Sequence, residues 1–227
     1  MYTQPYLFST RQNLLLTPFG SYMYSPEDFF TTLNNPETQN SALNFLGQVV
    51  VKQHKSIVAS FLEIIKAPDN IEDTNTFASL LVDLKSDQFL PALIDEIAKA
   101  TPGKETWLAD YMYALEALLD KTDMYYPGPE SFVSLLGDWM FSTGGGEIAW
   151  KSSGILANLD NESCLPYLKR GVKDTSFFHL VRSNCLQGLV NKYGAEHIEL
   201  IQSLQNDKDE DFREAVLDCL DYLEQRS

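Results

Sequence analysis

From about Ser41 to the C-terminus, apolar residues recur with helical spacing, and short clusters of turn-forming residues interrupt them at regular intervals. No run survives a search for the period-two alternation of a strand. The pattern predicts helical segments over 41–66, 74–85, 87–100, 104–121, 129–142, 146–159, 162–172, 176–193, 195–205 and 209–225. Ala67-Pro68-Asp69-Asn70, Thr101-Pro102-Gly103, Tyr126-Pro127-Gly128-Pro129 and Gly144-Gly145-Gly146 separate several of them, because proline and glycine stop a helix and let the chain reverse. Such short connections make neighbouring helices antiparallel. The expected fold is therefore all-α, with stacked antiparallel helix pairs and essentially no sheet.

The chain divides at about residue 40. Residues 1–40 form an N-terminal arm and a short capping helix, and 41–227 a helical repeat domain. Ser25-Pro26-Glu27-Asp28 announces the short helix with a capping serine, a proline in the first turn and two acids that favour the helix dipole. Asn34-Asn35-Pro36 ends it. Met1 to Tyr24, rich in aromatics and turn formers, reads as an irregular arm packed on the stack.

An internal repeat carries the argument from helices to architecture. Ile155, Leu186 and Leu217 lie 31 residues apart, and each is followed two residues later by a small side chain, Ala157, Gly188 or Cys219. Leu115 with Ala117 is a further copy, 40 residues before Ile155. The large residue fills the space between helices while the small one lets the next helix approach. Leu90-Pro91-Ala92-Leu93 recurs as Leu165-Pro166-Tyr167-Leu168, 75 residues on, with proline placed to start the second helix of a pair.

On these features the chain resembles HEAT and armadillo-type α-solenoids over roughly residues 70–225. The best match is Val181-Arg182-Ser183-Asn184-Cys185-Leu186-Gln187-Gly188-Leu189, then a short helix around Ile198 to Leu204, an acidic turn from Asp207 to Asp211, and Phe212-Arg213-Glu214-Ala215-Val216-Leu217. The resemblance implies a HEAT-like α-solenoid. Because the spacing wanders from 31 to 40 and residues 128–146 fit no clean repeat, an irregular helical bundle is the alternative.

Chemistry-bearing constellations are sparse. His54, His179 and His197 are scattered, with no second histidine or cysteine at helical ligand spacing, which gives no metal or cofactor site. Glu147 beside the glycine run would repel phosphate, and the lysine and hydroxyl of a phosphate loop are missing. Ser152, Ser153 and Ser183 sit in no strand-turn-helix elbow. Cys164, Cys185 and Cys219 read as small core residues of a reducing cytoplasm, and Trp107, Trp139 and Trp150 as core aromatics. Nothing approaches a secretory signal or the ~18 uninterrupted apolar residues of a membrane span. No catalytic residue is expected.

Charge points to a partner. The net charge is −15, and all of it sits in two blocks: residues 67–138 have fourteen acids against four bases, and 207–227 have eight against three. Such a chain repels a phosphate backbone, which disfavours direct nucleic-acid binding, and steers a basic protein toward itself. In the helix over 104–121, Leu108, Met112, Leu115 and Leu119 form a buried stripe that turns Asp110, Tyr113, Ala117 and Asp120 outward. The expected partner-binding residues are Asp110, Tyr113, Asp120, Asp123, Tyr125 and Tyr126, where carboxylates beside phenol rings suit a lysine or arginine. Asp207 to Asp211 with Asp218, Asp221 and Glu224 form the rival acidic surface. A small, acidic helical-repeat protein is similar to the bacterial immunity proteins that neutralise basic toxins. The alternative is a resemblance to HEAT-containing lyases or helical-repeat DNA glycosylases, which implies a small molecule or flipped base in a groove.

Overall fold

A computed structural model describes residues 14–17, 20–23, 58–121, 126–142 and 146–225. The described chain is helical apart from one hairpin in the arm. There β1 (Leu14–Thr17) pairs antiparallel with β2 (Gly20–Met23), Leu15 opposite Tyr22. With only four residues per strand, and a continuous Leu14-Leu15-Leu16 run in the first, the hairpin has no alternation for a periodicity search to find. The capping helix read from Ser25, and the 40/41 boundary, lie outside the described residues.

The chain forms two compact units, Met1–Glu96 and Ile97–Ser227. In the first, α1 (58–65) is followed by α2 (Thr74–Leu84) and α3 (Phe89–Ile97, whose last residue opens the second unit). Phe61, Phe77 and Phe89 are fully buried, with ring centroids 5.3 Å apart for Phe61 and Phe77 and 6.2 Å for Phe61 and Phe89. Each phenylalanine buried this way stabilises the fold by about 1.5–3 kcal/mol. Asp73 caps α2 by accepting from the Thr76 backbone N–H at 2.9 Å and from the Thr76 hydroxyl at 2.7 Å. Lys85, in the left-handed region at φ 49°, ends it.

The second unit holds α4 (Leu108–Lys121), α5 (Glu130–Ser142), α6 (Glu147–Asn158), α7 (Leu165–Lys173), α8 (His179–Tyr193), the short α9 (Ile198–Gln202) and α10 (Glu210–Glu224). Packing follows a rule: α4 lies against α6, α6 against α8 and α8 against α10, while α5 packs on α6 and α7 on α8. Pro166 stands in the first turn of α7, as the repeated Leu-Pro pattern predicts.

The 31-residue register has a structural counterpart between α6 and α8. Ile155 and Leu186 are fully buried, and Gly188 lies so close to α6 that a Cβ there would meet the Ala157 Cα at 2.8 Å. Leu217 departs from the register's expectation and is 47% exposed. Among the described residues no helix follows α10 to cover it.

The same region holds a buried ion pair. Arg182 on α8, 1% exposed, donates to both carboxylate oxygens of Asp207 at 2.9 and 2.5 Å. It also donates twice to the Val172 carbonyl, and its guanidinium lies 3.7 Å from the centroid of the Phe212 ring. One arginine thus ties the end of α7, the middle of the unit and the turn before α10. Asp207, read from sequence as part of an exposed acidic surface, is largely an internal counterion.

Candidate functional site

Three successive members of the packing series, α4, α6 and α8, enclose a groove of about 380 Å³. Tyr113, Glu116, Ala117 and Asp120 line it from α4, and Trp150, Lys151, Gly154 and Asn158 from α6. α8 is covered by α6, α7 and α10, and the polar stripe it turns to the groove is Asn184, Gln187 and Asn191. Spacings of three and four place those amides on one helical face.

The predicted buried stripe on α4 is correct, with Leu108, Met112, Leu115 and Leu119 all inside. Its opposite face brings Tyr113, 39% exposed, and Asp120 into the groove. The structure does not add Asp110 or Tyr126 to the lining. Asp110 is half-buried in the first turn of α4, and Tyr126 is half-buried in the loop before α5, where its carbonyl accepts from the Asp160 backbone N–H at 3.0 Å. Asp123 and Tyr125 lie outside the described residues.

The sequence reading missed Lys151, which sits at the centre of the lining. Its ammonium lies 4.2 Å from the centroid of the Trp150 ring and 5.0 Å from that of Tyr113, and 3.8 Å from Glu116 Oε2. Cation–π contacts of this kind contribute about 0.5–2 kcal/mol each. Trp150, expected in the core, is therefore a groove residue. Burial pushes the Glu116 carboxyl above its usual range, and the Lys151 charge opposes that shift only partly. Gly154 makes room for Glu116: a Cβ there would come within 2.0 Å of Glu116 Oε1. Gly154→Ala should therefore swing the Glu116 carboxylate away from Lys151. Because only the end of a flexible side chain must move, and alanine improves helix propensity by about 1 kcal/mol, thermal denaturation should show a change of only about 1–2 °C.

One signal in the sequence marks Lys151. Lys151, Arg182 and Arg213 are 31 residues apart, the interval of the apolar register, and Asn184 spans the same interval to donate to Ser153 Oγ at 3.1 Å.

Two other clusters have structural explanations. His179, Asp209 and Asp211, scattered in sequence, lie together, with His179 Nδ1 3.5 Å from Asp211 Oδ2. Asp209 is the N-cap of α10 and accepts from the Phe212 N–H at 3.1 Å, and the positive end of a helix dipole disfavours a cation. Burial pushes the Cys185 thiol up to about 12 and the Cys164 thiol up to about 11, which keeps both as unreactive thiols. No described helix is long and apolar enough to cross a membrane. Comparison with known proteins finds no family model and no curated protein sequence that matches this chain.

Proposed function

We propose that this chain is a protein-interaction module whose acidic face docks a basic protein, with toxin neutralisation by an immunity protein as the concrete form. The observation that carries the reading is α4. That helix turns its leucines and Met112 inward and presents Tyr113 and Asp120 on the groove, within the block of residues 67–138 that carries most of the excess negative charge. An exposed phenol beside a carboxylate anchors an arginine or lysine, and the surrounding acids steer its approach. The order in which α4, α6, α8 and α10 pack supports a HEAT-like stack as the scaffold.

The test is recovery of a partner from the native cell with three forms of the protein. The wild type should recover a stoichiometric basic protein. Reversal of Asp110, Asp120 and Asp123 to lysine should slow association about 10- to 100-fold at low salt and flatten its salt dependence. Reversal of Asp218, Asp221 and Glu224 should change it little. Unchanged affinity and salt dependence in the first variant, with helicity retained, would assign docking elsewhere.

A further inference from the structure

Lys151 differs from its counterpart one register on. Arg182 spends four of its five N–H groups, two on the Val172 carbonyl and one on each oxygen of Asp207. The Lys151 side chain is only 10% exposed, yet its ammonium has no hydrogen-bond acceptor among the described residues. Glu116 at 3.8 Å is an ion-pair partner beyond hydrogen-bond reach, and the two ring faces offer no lone pair. The ammonium reaches the groove while most of its stem is covered, so its N–H groups are presented to whatever occupies the groove, water or a ligand acceptor. It lines a groove to which α8 presents the exposed side-chain amides of Gln187 and Asn191, neither bonded to another described residue.

We infer that the α4/α6/α8 groove is a binding site for a small organic carboxylate, with Lys151 as the anchor for its anionic oxygens. The groove falls within the size range of small-molecule sites, about 300–1,000 Å³. An ammonium beside the Trp150 and Tyr113 rings forms charge-assisted hydrogen bonds that are stronger than neutral ones. The exposed amides of Gln187 and Asn191 supply donors and acceptors for the remainder of the ligand, whereas Asn184, whose N–H groups go to the Trp150 carbonyl and Ser153 Oγ, offers its carbonyl oxygen. The two carboxylates in the lining select against multiply charged anions such as phosphate esters, because Glu116 and Asp120 repel each added charge. Glu116, 3.8 Å from the ammonium, is then a competitor through its charge rather than through a hydrogen bond. The groove shares Tyr113 and Asp120 with the proposed docking face, but carboxylate binding turns on Lys151, on which protein docking does not rely.

The test uses the full-length protein and small probes in matched pairs: acetate with acetamide, succinate with succinamide, and phenylacetate with phenylacetamide, at constant ionic strength. Two-dimensional nitrogen–proton NMR follows the Trp150 indole and the side-chain amides of Asn184, Gln187 and Asn191. Each monocarboxylate should shift these signals saturably and at least tenfold more tightly than its amide, a difference of about 1.4 kcal/mol. Lys151→Met, which keeps the length and apolar packing of the stem, should abolish the preference while circular dichroism stays unchanged. Glu116→Gln should tighten binding about five- to tenfold by removing the competitor. Three results would each overturn the inference: no shifts up to 100 mM of any carboxylate probe, equal binding of amide and carboxylate, or unchanged carboxylate binding in a folded Lys151→Met. Should Lys151→Met unfold, Glu116→Gln decides alone, because a looser or unchanged complex contradicts the competition.

Discussion

Asp207→Ala should destabilise the second unit strongly, because the carboxylate it removes is the counterion of a buried arginine. It leaves the Arg182 guanidinium, 1% exposed, with the Val172 carbonyl and the Phe212 ring but no counterion. Breaking a buried pair by removing one partner costs about 3–5 kcal/mol. At about 2–4 °C per kcal/mol for a chain of this size, the melting temperature should drop by about 6–20 °C. The hydrogen bond from Arg182 holds the Asp207 carboxyl below its usual range, and that fixes the pH dependence. A carboxylate whose folded pKa is depressed stabilises fully above its unfolded value, near 3.9. That contribution is lost as pH falls through the lower folded value. The melting-temperature gap between wild type and Asp207→Ala should therefore be constant from neutral pH to about pH 5 and narrow below about pH 4. Asp207→Asn should lose less, since its amide oxygen still accepts from Arg182. Replacing the pair with apolar residues, Arg182→Met with Asp207→Leu, should recover much of the loss. A gap unchanged at low pH would show that the carboxylate's charge is irrelevant to the clamp.

Much of this arrangement was legible in the sequence because it rests on periodicity. The predicted spans 74–85, 129–142, 176–193 and 209–225 match α2, α5, α8 and α10 to within a few residues, since glycine, proline and capping residues stop helices by local physics. The close approach of α6 and α8 was legible too, from the pairing of Ile155 and Leu186 with a small residue two positions later. The groove was not. Its lining comes from three helices, and what brings Tyr113, Lys151 and Asn191 together is packing between segments about 40 residues apart. A reading one helix at a time therefore found Tyr113 and Asp120, which share a face of α4, and placed Trp150 in the core. It assigned all the acids of 207–211 to the surface for the same reason: the partner that buries Asp207 is 25 residues away on α8. Lys151 was concealed by composition, because residues 139–206 balance six acids with six bases and so show no local excess of charge.

Gly188 provides the sharpest test of the packing that forms the groove, because the obstacle to a side chain there is backbone. A Cβ would meet the Ala157 Cα at 2.8 Å, its Cβ at 2.9 Å and a Leu168 methyl at 3.2 Å. Two opposed effects decide the outcome of Gly188→Ala. Alanine gains about 1 kcal/mol of helix propensity over glycine, whereas overpacking a filled interior costs about 1–3 kcal/mol. Because α6 as a whole must shift, the cost should lie at the upper end, leaving a net loss of about 1–2 kcal/mol. Gly188→Leu gains no more propensity and forces the helices further apart, so it should cost well above 3 kcal/mol. The groove supplies a second readout, since α6 carries Trp150 and Lys151 while α8 carries Asn184, and separation stretches the Asn184 hydrogen bonds to the Trp150 carbonyl at 3.3 Å and to Ser153 Oγ at 3.1 Å. Trp150 fluorescence and the Asn184 side-chain amide signal should change in both variants in step with the loss of stability. Adding Ala157→Gly to Gly188→Ala removes the methyl group of residue 157 from the path of the new side chain, but the backbone of α6 still stands 2.8 Å away. The double variant should therefore recover the groove signals only in part. Full recovery would mean that the side chain of Ala157, not the backbone of α6, sets the distance between the two helices.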